Sequence, residues 1–271
     1  MGVWTTVALA LALSADAGLE PPDGGSPPRG LSCLPTWYSG RVSLRPDAGW
    51  GLELTDGTWL PWQALPSGPG DGGLDVEATP TLADLYRAPY VGGPIRPIDA
   101  TDAGPLEDPG RIRVEELLKA TYGATREDVA DHLVKVRFFG LRYPFHELAA
   151  PALARVVDRL APEVKQNPRL GPFLTNIGGT WIWRRIARSK NLSTHAWGIA
   201  IDLNVDRSHY WRWTPRGEPL VWRNSVPQTI VDAFEAEGFI WGGRWQHFDT
   251  MHFEYRPELL SEACRDVAPA P

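Results

Sequence analysis

Residues 193–202 read Ser-Thr-His-Ala-Trp-Gly-Ile-Ala-Ile-Asp, and this short apolar stretch holds a histidine and an aspartate that can meet only if the chain turns. On an uninterrupted strand, the odd separation would put His195 and Asp202 on opposite faces, roughly 23 Å apart. Gly198 has the backbone freedom for a turn, so His195 can precede a strand whose residues Ile199 and Ile201 face the core. Asp202 then faces a cleft, where an unpaired carboxylate is costly and a cation is a favourable partner.

A second group of the same residue types lies at 249–254, which reads Asp-Thr-Met-His-Phe-Glu. The two imidazoles of His195 and His252, with the carboxylate of Asp202, form a set that binds zinc and leaves a position open for water, as in catalytic sites. Asp249 is then free to act as the general base. For the first pair alone, a buried Asp–His hydrogen bond or an aspartate held by arginine is the structural alternative.

The first stretch resembles the SxHxxGxAxD signature of the D-Ala-D-Ala carboxypeptidase family of zinc metallopeptidases, the VanY-like group. Residues 238–260, which contain a DxxH element, and the shorter run 181–186 are also similar to this family. The similarity extends over about 105–260. It implies an α+β fold of the hedgehog/DD-peptidase type, in which an antiparallel sheet with a zinc cleft is flanked by helices.

Roles for individual residues follow from the resemblance. It implies one Zn²⁺ per chain with three ligands, which are His195, Asp202 and His252. It also implies that Asp249 is the catalytic carboxylate, at a position where many relatives have glutamate. An arginine upstream of the signature should hold the substrate carbonyl or carboxylate. Arg184 is the best match, and Arg185 and Arg188 are close enough to be alternatives.

The implied activity is zinc-dependent hydrolysis of an amide bond in bacterial peptidoglycan stem peptides, by a metal-bound water with Asp249 as general base. The bond is either the terminal D-Ala-D-Ala bond or an internal bond of the L-Ala-D-Glu type, because the branch with aspartate is often associated with endopeptidase activity. The alternative is a non-catalytic, zinc-stabilised cell-wall binding module. Asp249 beside a three-ligand set argues against that alternative, since structural zinc sites usually fill the fourth position with protein.

Three further residues are predicted to support the site. Ser193 can form a hydrogen bond near it, and Glu254 lies on the same strand face as His252, where it can bond to that ligand. His247 either supports the site from the loop before Asp249 or lies at the surface. The sequence also has a tryptophan cluster, which we interpret as core and groove wall, with some rings available to line a cleft for glycan or stem peptide: Trp181, Trp183, Trp197, Trp211, Trp213, Trp241 and Trp245.

The remaining histidines have structural interpretations. His146-Glu147 lacks the second histidine of a zincin helix because position 150 is alanine, His132 lies in an expected helix, and His209 lies in an aromatic loop. The sequence contains no G-x-S-x-G element, so a serine hydrolase has no support. Among the 271 residues, the formal net charge of −6 gives no basic footprint for nucleic acid. No apolar run approaches the roughly 20 residues of a membrane-spanning helix.

The N-terminus indicates export. Residues 1–17 contain a short apolar run followed by the small-x-small sequence Ala15-Asp16-Ala17, although no lysine or arginine precedes Arg29. We predict a signal peptide over 1–17 and a secreted or periplasmic protein; a buried helix is the alternative. Cys33 and Cys264 are most simply a disulfide in an oxidising compartment, with a lipid anchor or a metal ligand as alternatives.

Local patterns complete the predicted organisation. A flexible linker is expected over 18–32, a β-rich or loop extension over 33–104, the peptidase domain over 105–260 and a tail over 261–271. A hairpin with an Asp56-Gly57 turn is predicted in the extension. Three helices are predicted: one from Thr125 through Val129, Leu133 and Val136, one over 150–162, and one from near Ser225 to Gly238. Strands are expected around 198–204 and 251–255, which together give an α+β architecture.

Overall fold

The computed structural model describes residues 26–46, 48–63, 80–98, 108–186 and 190–264. Its α-helices are α1 (Arg29–Cys33), α2 (Glu115–Tyr122), α3 (Arg126–Asp131), α4 (Ala150–Gln166), α5 (Gln228–Glu235) and α6 (Pro257–Leu260). Its strands are β1 (Arg41–Arg45), β2 (Gly49–Glu53), β3 (Trp59–Pro61), β4 (Leu133–Phe138), β5 (Leu141–His146), β6 (Ile177–Gly179), β7 (Ala200–Asn204), β8 (Phe239–Trp241) and β9 (His252–Tyr255). Helices combined with antiparallel sheets agree with the predicted α+β class.

The strands form three antiparallel sheets, and the largest one carries the site. It has the order β6-β7-β9-β8, while β1-β2-β3 form a separate sheet and β4-β5 a hairpin. In the four-stranded sheet, Asp202 of β7 pairs with His252 of β9, and Ala200 pairs with Glu254. The central register therefore places residues from the two sequence clusters side by side.

The turn expected at Gly198 is present. A 3₁₀ turn, Thr194–Trp197, ends at Gly198, whose backbone is left-handed with φ 65°. A Cβ atom at this position would lie 2.8 Å from Leu133 Cδ2 and 3.3 Å from the His146 backbone nitrogen. Glycine is therefore required for two reasons, the sign of φ and the space beside β4.

Replacing Gly198 by alanine is expected to lower the free energy of unfolding by roughly 2–5 kcal/mol, as the sum of left-handed backbone strain and overpacking. Thermal or denaturant unfolding of zinc-free protein measures the loss. Gly49→Ala is the matched control, because Gly49 has φ 72° and no atom within 4 Å of an added Cβ. Equal losses in the two variants would show that the packing beside Gly198 contributes nothing.

The core is built on the face of the central sheet. In α4, Leu153, Val156 and Leu160 are fully buried, at the helical spacing predicted from the sequence. α5 starts after Pro227 and places Phe234 against Phe253 of β9, with ring centroids 4.2 Å apart. α5 therefore covers one face of the central sheet, and α4 packs against α5 and β4.

The helix predicted from Thr125 is correct only in its first part. The capping box between Thr125 and Asp128 is present, but α3 ends at Asp131. Leu133 and Val136 lie in β4, which pairs with β5 through a tight turn containing Gly140 at φ 102°. The helical spacing of these residues was misleading, because cross-strand pairing of the β-rich sequence outweighs the local helical preference.

His146 is a buried structural residue. It is 2% exposed, its Nε2–H donates to the Tyr122 carbonyl at 3.1 Å, and its Nδ1 accepts from the Leu148 N–H at 3.2 Å. Burial lowers the pKa of His146 to about 4, and neighbouring His132 adds to this shift. The two bonds fix the neutral ring, since a proton on Nδ1 would remove the bond from Leu148.

Because the folded pKa of His146 lies below its ordinary value of 6.5, the folded state binds fewer protons and stability is lost as the pH falls from 6.5 towards 4. We expect His146 to account for about 2 kcal/mol of this loss. His146→Gln keeps a donor and an acceptor but does not titrate, so its unfolding free energy should fall less steeply with acid. Denaturant titrations of both proteins at several pH values measure this difference, and identical slopes would contradict it.

The N-terminal segment packs onto the same core. The predicted hairpin is confirmed, since β2 and β3 pair antiparallel on either side of the Asp56-Gly57 turn. The end of the expected 18–32 linker is helical, because α1 begins at Arg29 and buries Leu31 in the main core. The expected signal peptide, 1–17, lies outside the described residues.

The predicted disulfide is present between Cys33 and Cys264, with Cα atoms 5.5 Å apart and 231 residues of sequence separation. It ties α1 to the described end of the chain. Closing so long a loop restricts the unfolded chain and stabilises the fold. None of the helices within the described ranges has the length and hydropathy that a bilayer-spanning segment requires.

Candidate metal centre

The three predicted zinc ligands converge at one end of the central sheet. His195 Nε2 lies 3.2 Å from Asp202 Oδ1, His252 Nδ1 lies 3.0 Å from the same oxygen, and the two nitrogens are 3.3 Å apart. Both histidines are buried, and the Asp202 side chain is 20% exposed. Two imidazole nitrogens and one carboxylate oxygen, all within 4.8 Å of one another, are a donor set that suits zinc.

Each histidine is oriented by a bond from its other ring nitrogen. His195 Nδ1–H donates to the Thr180 carbonyl at 3.1 Å, and His252 Nε2–H donates to Glu254 Oε2 at 2.9 Å. These bonds leave His195 Nε2 and His252 Nδ1 facing Asp202. Partners of this kind orient metal-binding histidines in proteins. The residues present therefore fit a metal ion.

Glu254 is held as a buried anion behind His252. Its carboxylate accepts hydrogen bonds from Arg113 at 2.6 Å, from the Thr194 hydroxyl at 2.9 Å and from Arg256 at 3.3 Å. Burial would raise the pKa of Glu254, but Arg113, His252 and Arg256 hold it well below its usual range. Glu254, which was predicted to support the site, is thus a charged residue in contact with the candidate ligand His252.

The electrostatics of the triad favour a positive charge. Burial opposes protonation of His252, but hydrogen bonds and charges from Asp202 and Glu254 raise its pKa to about 10. Burial likewise opposes the charge on Asp202, but His195 and His252 lower its pKa well below the usual value. A proton supplies the positive charge between the carboxylates in the metal-free site. A divalent cation held by His195, Asp202 and His252 would supply this charge instead.

Asp249 lies in the same cleft and has properties suited to proton transfer. Burial raises its pKa to about 6; His252 opposes this shift and the charge of Asp202 adds to it. Its Oδ1 is buried without a hydrogen-bond partner among the described residues. The backbone is fixed by an Asp249 N–H bond to the Gly242 carbonyl at 2.9 Å and by a bridge to Tyr210. A carboxyl group with a pKa near neutrality, and with one oxygen that has no partner among the described residues, can accept and return a proton.

The arginine and serine near the first signature also line the cleft. Arg184 is exposed at its edge, and its carbonyl accepts a bond from the Ser193 N–H at 3.0 Å. Ser193 is buried beside His195. Arg185 forms an isolated bridge with Leu192, whereas Arg188 lies outside the described residues. Of the described arginines proposed from the sequence, Arg184 is the one that lines the cleft.

His247 does not contact the triad. Its Nδ1–H donates to Asp108 at 2.8 Å, and its side chain is 45% exposed. Asp108 also forms an ion pair with Arg111, whose Nη2 donates to the His247 carbonyl at 2.7 Å. His247 therefore stabilises the loop and an arginine of the cleft, so any support it gives to the site is indirect.

Arg111 and Arg113 line the cleft although neither was predicted from the sequence. The Arg111 guanidinium lies 4.9 Å from the ring centroid of Trp245, another lining residue. This contact holds the cation over an aromatic face. The segment 108–113 precedes the signature by about 80 residues, and no spacing rule connects the two. The one local signal is Asp108-Pro109-Gly110, after which the sequence shows helical patterns, and it gives no indication of a site.

Residues 187–255 match the model of a protein family described as D-alanyl-D-alanine carboxypeptidase. The match confirms the resemblance found in the sequence and supports a metallopeptidase. The matched segment contains the whole candidate triad together with Asp249 and Glu254. Arg111, Arg113 and Arg184 lie before it.

Proposed function

We propose that this protein is a zinc peptidase acting on peptidoglycan stem peptides. The starting point is the match of residues 187–255 to the D-alanyl-D-alanine carboxypeptidase family. The observation that carries the proposal is the convergence of His195, Asp202 and His252 next to Asp249, whose buried Oδ1 has no hydrogen-bond partner among the described residues. Three protein ligands leave zinc an open position, which is the arrangement of catalytic sites.

When bound, a zinc ion supplies Lewis acidity for an amide carbonyl and lowers the pKa of water towards about 7. Asp249 Oδ1 accepts the proton of the attacking water and returns it to the leaving amide nitrogen. Burial of the Asp249 side chain, which raises the pKa of its carboxyl group, makes proton return easier than from an exposed aspartate. Arg184 donates to the substrate carbonyl or carboxylate, and Trp245 walls the cleft against bulk water.

Arg111 adds a second cation for substrate binding. The two candidate bonds share one feature, a free α-carboxylate on the residue that leaves as the amine, as in D-Ala and in γ-linked D-Glu. Arg111 and Arg184 both act electrostatically on Tyr210, which lines the cleft and forms a backbone bridge with Asp249. A carboxylate entering there lies near Arg184 and near Arg111, whose charge Asp108 partly compensates, and this arrangement favours an anionic peptide.

The compartment is consistent with this substrate. Peptidoglycan lies outside the cytoplasmic membrane, and the Cys33–Cys264 disulfide is of the kind that forms in oxidising compartments. We therefore propose that the protein is secreted or periplasmic. A non-catalytic wall-binding module remains the alternative function, but such a module has no use for a buried carboxylate oxygen that finds no hydrogen-bond partner in the described part of the chain.

Mass spectrometry of peptidoglycan fragments tests the proposal. The purified protein is incubated with fragments after chelation, and a second sample is restored with zinc. Zinc-dependent loss of one alanine identifies a carboxypeptidase, and zinc-dependent splitting of the stem identifies an endopeptidase. Unchanged fragments in the presence of bound zinc would contradict the enzyme and favour the binding module.

A further inference from the structure

A groove adjoins the metal cleft and has no part in the proposed hydrolysis steps. It has a volume of about 420 Å³, and its lining includes His209, Tyr210, Trp213, Glu218, Val221 and Arg223. Tyr210 lines both this groove and the metal cleft, so the two spaces are adjacent. We call this space, formed by residues 209–223 with Phe248, the aromatic groove.

The aromatic groove is fixed relative to the candidate base. The Trp211 N–H donates to the Phe248 carbonyl, and the Thr250 N–H donates to the His209 carbonyl, both at 2.9 Å. Tyr210 forms a backbone bridge with Asp249 itself. The groove wall and the catalytic carboxylate are therefore parts of one bonded unit, so a group bound in the groove has a set position relative to the scissile bond.

The lining combines exposed apolar area with charged groups. Trp213 is 53% exposed and Val221 is 54% exposed, and the Trp213 ring lies edge-on to Tyr210 with centroids 6.0 Å apart. Glu218 and Arg223 are exposed on the same lining. Two large exposed apolar side chains on one groove lining, beside the candidate active cleft, offer a ligand an apolar surface.

This combination matches a sugar ring better than an aliphatic side chain. A pyranose has an apolar C–H face that packs on an indole, and it has hydroxyl and acetamido groups on its rim. Glu218 can accept from hydroxyls, and Arg223 can donate to hydroxyl or acetamido oxygens. An aliphatic side chain would leave both charged groups without a use in binding.

We propose that the aromatic groove binds the amino sugar to which the stem peptide is attached, and that the bond cleaved is the L-Ala–D-Glu bond close to that sugar. This inference rests on the proposed function. The sugar is joined to the first stem residue, one residue from the L-Ala–D-Glu bond. The D-Ala–D-Ala bond is three residues further along, about 10 Å at the 3.3–3.6 Å span of an extended residue. A groove that shares Tyr210 with the metal cleft therefore favours the nearer bond when the sugar is bound in it.

The test compares two substrates with the full, zinc-loaded chain. One is a disaccharide carrying the stem peptide and the other is the same peptide without sugar; kcat/KM for each is measured by liquid chromatography and mass spectrometry. The wild-type protein should split L-Ala from D-Glu and should prefer the sugar-bearing substrate by about tenfold or more. Trp213→Ala should bring the ratio of the two kcat/KM values close to one, and Trp213→Phe should restore part of it.

Leu141→Ala is the matched control, because Leu141 is a 62% exposed apolar residue on the β4–β5 hairpin and not part of either lining. It should leave the ratio unchanged. Equal turnover of both substrates by the wild type, or a ratio unaffected by Trp213→Ala, would overturn the sugar site while the peptidase stands. Release of terminal D-Ala alone would overturn the assigned bond.

A binding measurement separates this proposal from failure of the peptidase. Calorimetry with the disaccharide alone, on the Asp249→Ala variant, needs no turnover. Binding that is lost in the Asp249→Ala/Trp213→Ala double variant supports the sugar site even if no substrate is cleaved. Absence of disaccharide binding to the single variant, together with sugar-independent turnover by the wild type, would exclude it.

Discussion

Replacing Asp249 by asparagine is expected to lower kcat by about 10²–10⁴-fold, the range for loss of a positioned general acid–base group. The amide has nearly the shape of the carboxylate but cannot take a proton from water at neutral pH. Zinc content should stay at one ion per chain, because the three candidate ligands are other residues. Asp249→Ala should have the same outcome. Turnover on peptidoglycan fragments and zinc by atomic spectrometry are measured on the same samples.

Asp206→Asn is the matched control for this substitution. Asp206 follows β7 closely, and its carboxylate accepts a bond from the exposed Asn176 side chain at 3.3 Å. Its neutralisation should leave turnover within a factor of about two, as expected for a surface change. Near wild-type turnover by Asp249→Asn would remove the residue from the mechanism. Loss of zinc in this variant would instead make Asp249 a ligand.

Replacing His195 by alanine is expected to abolish both zinc binding and turnover. The side chain supplies one of three donor atoms, so its loss should weaken zinc affinity by more than about 100-fold, the upper range for losing a residue that only orients a ligand. Zinc should raise the Tm of the wild-type protein, because it binds the folded state, and should not raise that of His195→Ala. Calorimetric zinc titration and thermal unfolding measure both effects without requiring turnover.

His132→Ala is the control for the second prediction. His132 is an exposed imidazole paired with Glu147 at 2.8 Å, outside the cleft lining. It should keep zinc affinity, the zinc-dependent rise in Tm and turnover. A His195→Ala protein with normal zinc content would refute the ligand assignment, and the buried Asp–His hydrogen bond would then be the better account of residues 195 and 202.

The part of the site that the sequence predicted is the part made by short-range geometry. His195 and Asp202 are separated by a few residues, and the glycine between them reveals the turn that brings them together. His252 joins them because β7 and β9 are neighbouring strands, whereas the sequence grouped it with them by residue type and by family resemblance. Glu254 followed from strand alternation, since it shares a face with His252.

Long-range packing decided the remainder. Leu133 and Val136 carried a helical pattern, yet their pairing with β5 made them a strand, because hydrogen bonds between segments outweighed a weak local preference. Arg111 and Arg113 reach the cleft from before α2, and the groove around Trp213 forms where a loop bonds to the segment of Asp249. The candidate metal ligands could be predicted from the residues alone, because they lie at recognisable spacings. The positions of the arginines and aromatic side chains around them could not, because those contacts join segments that no periodicity connects.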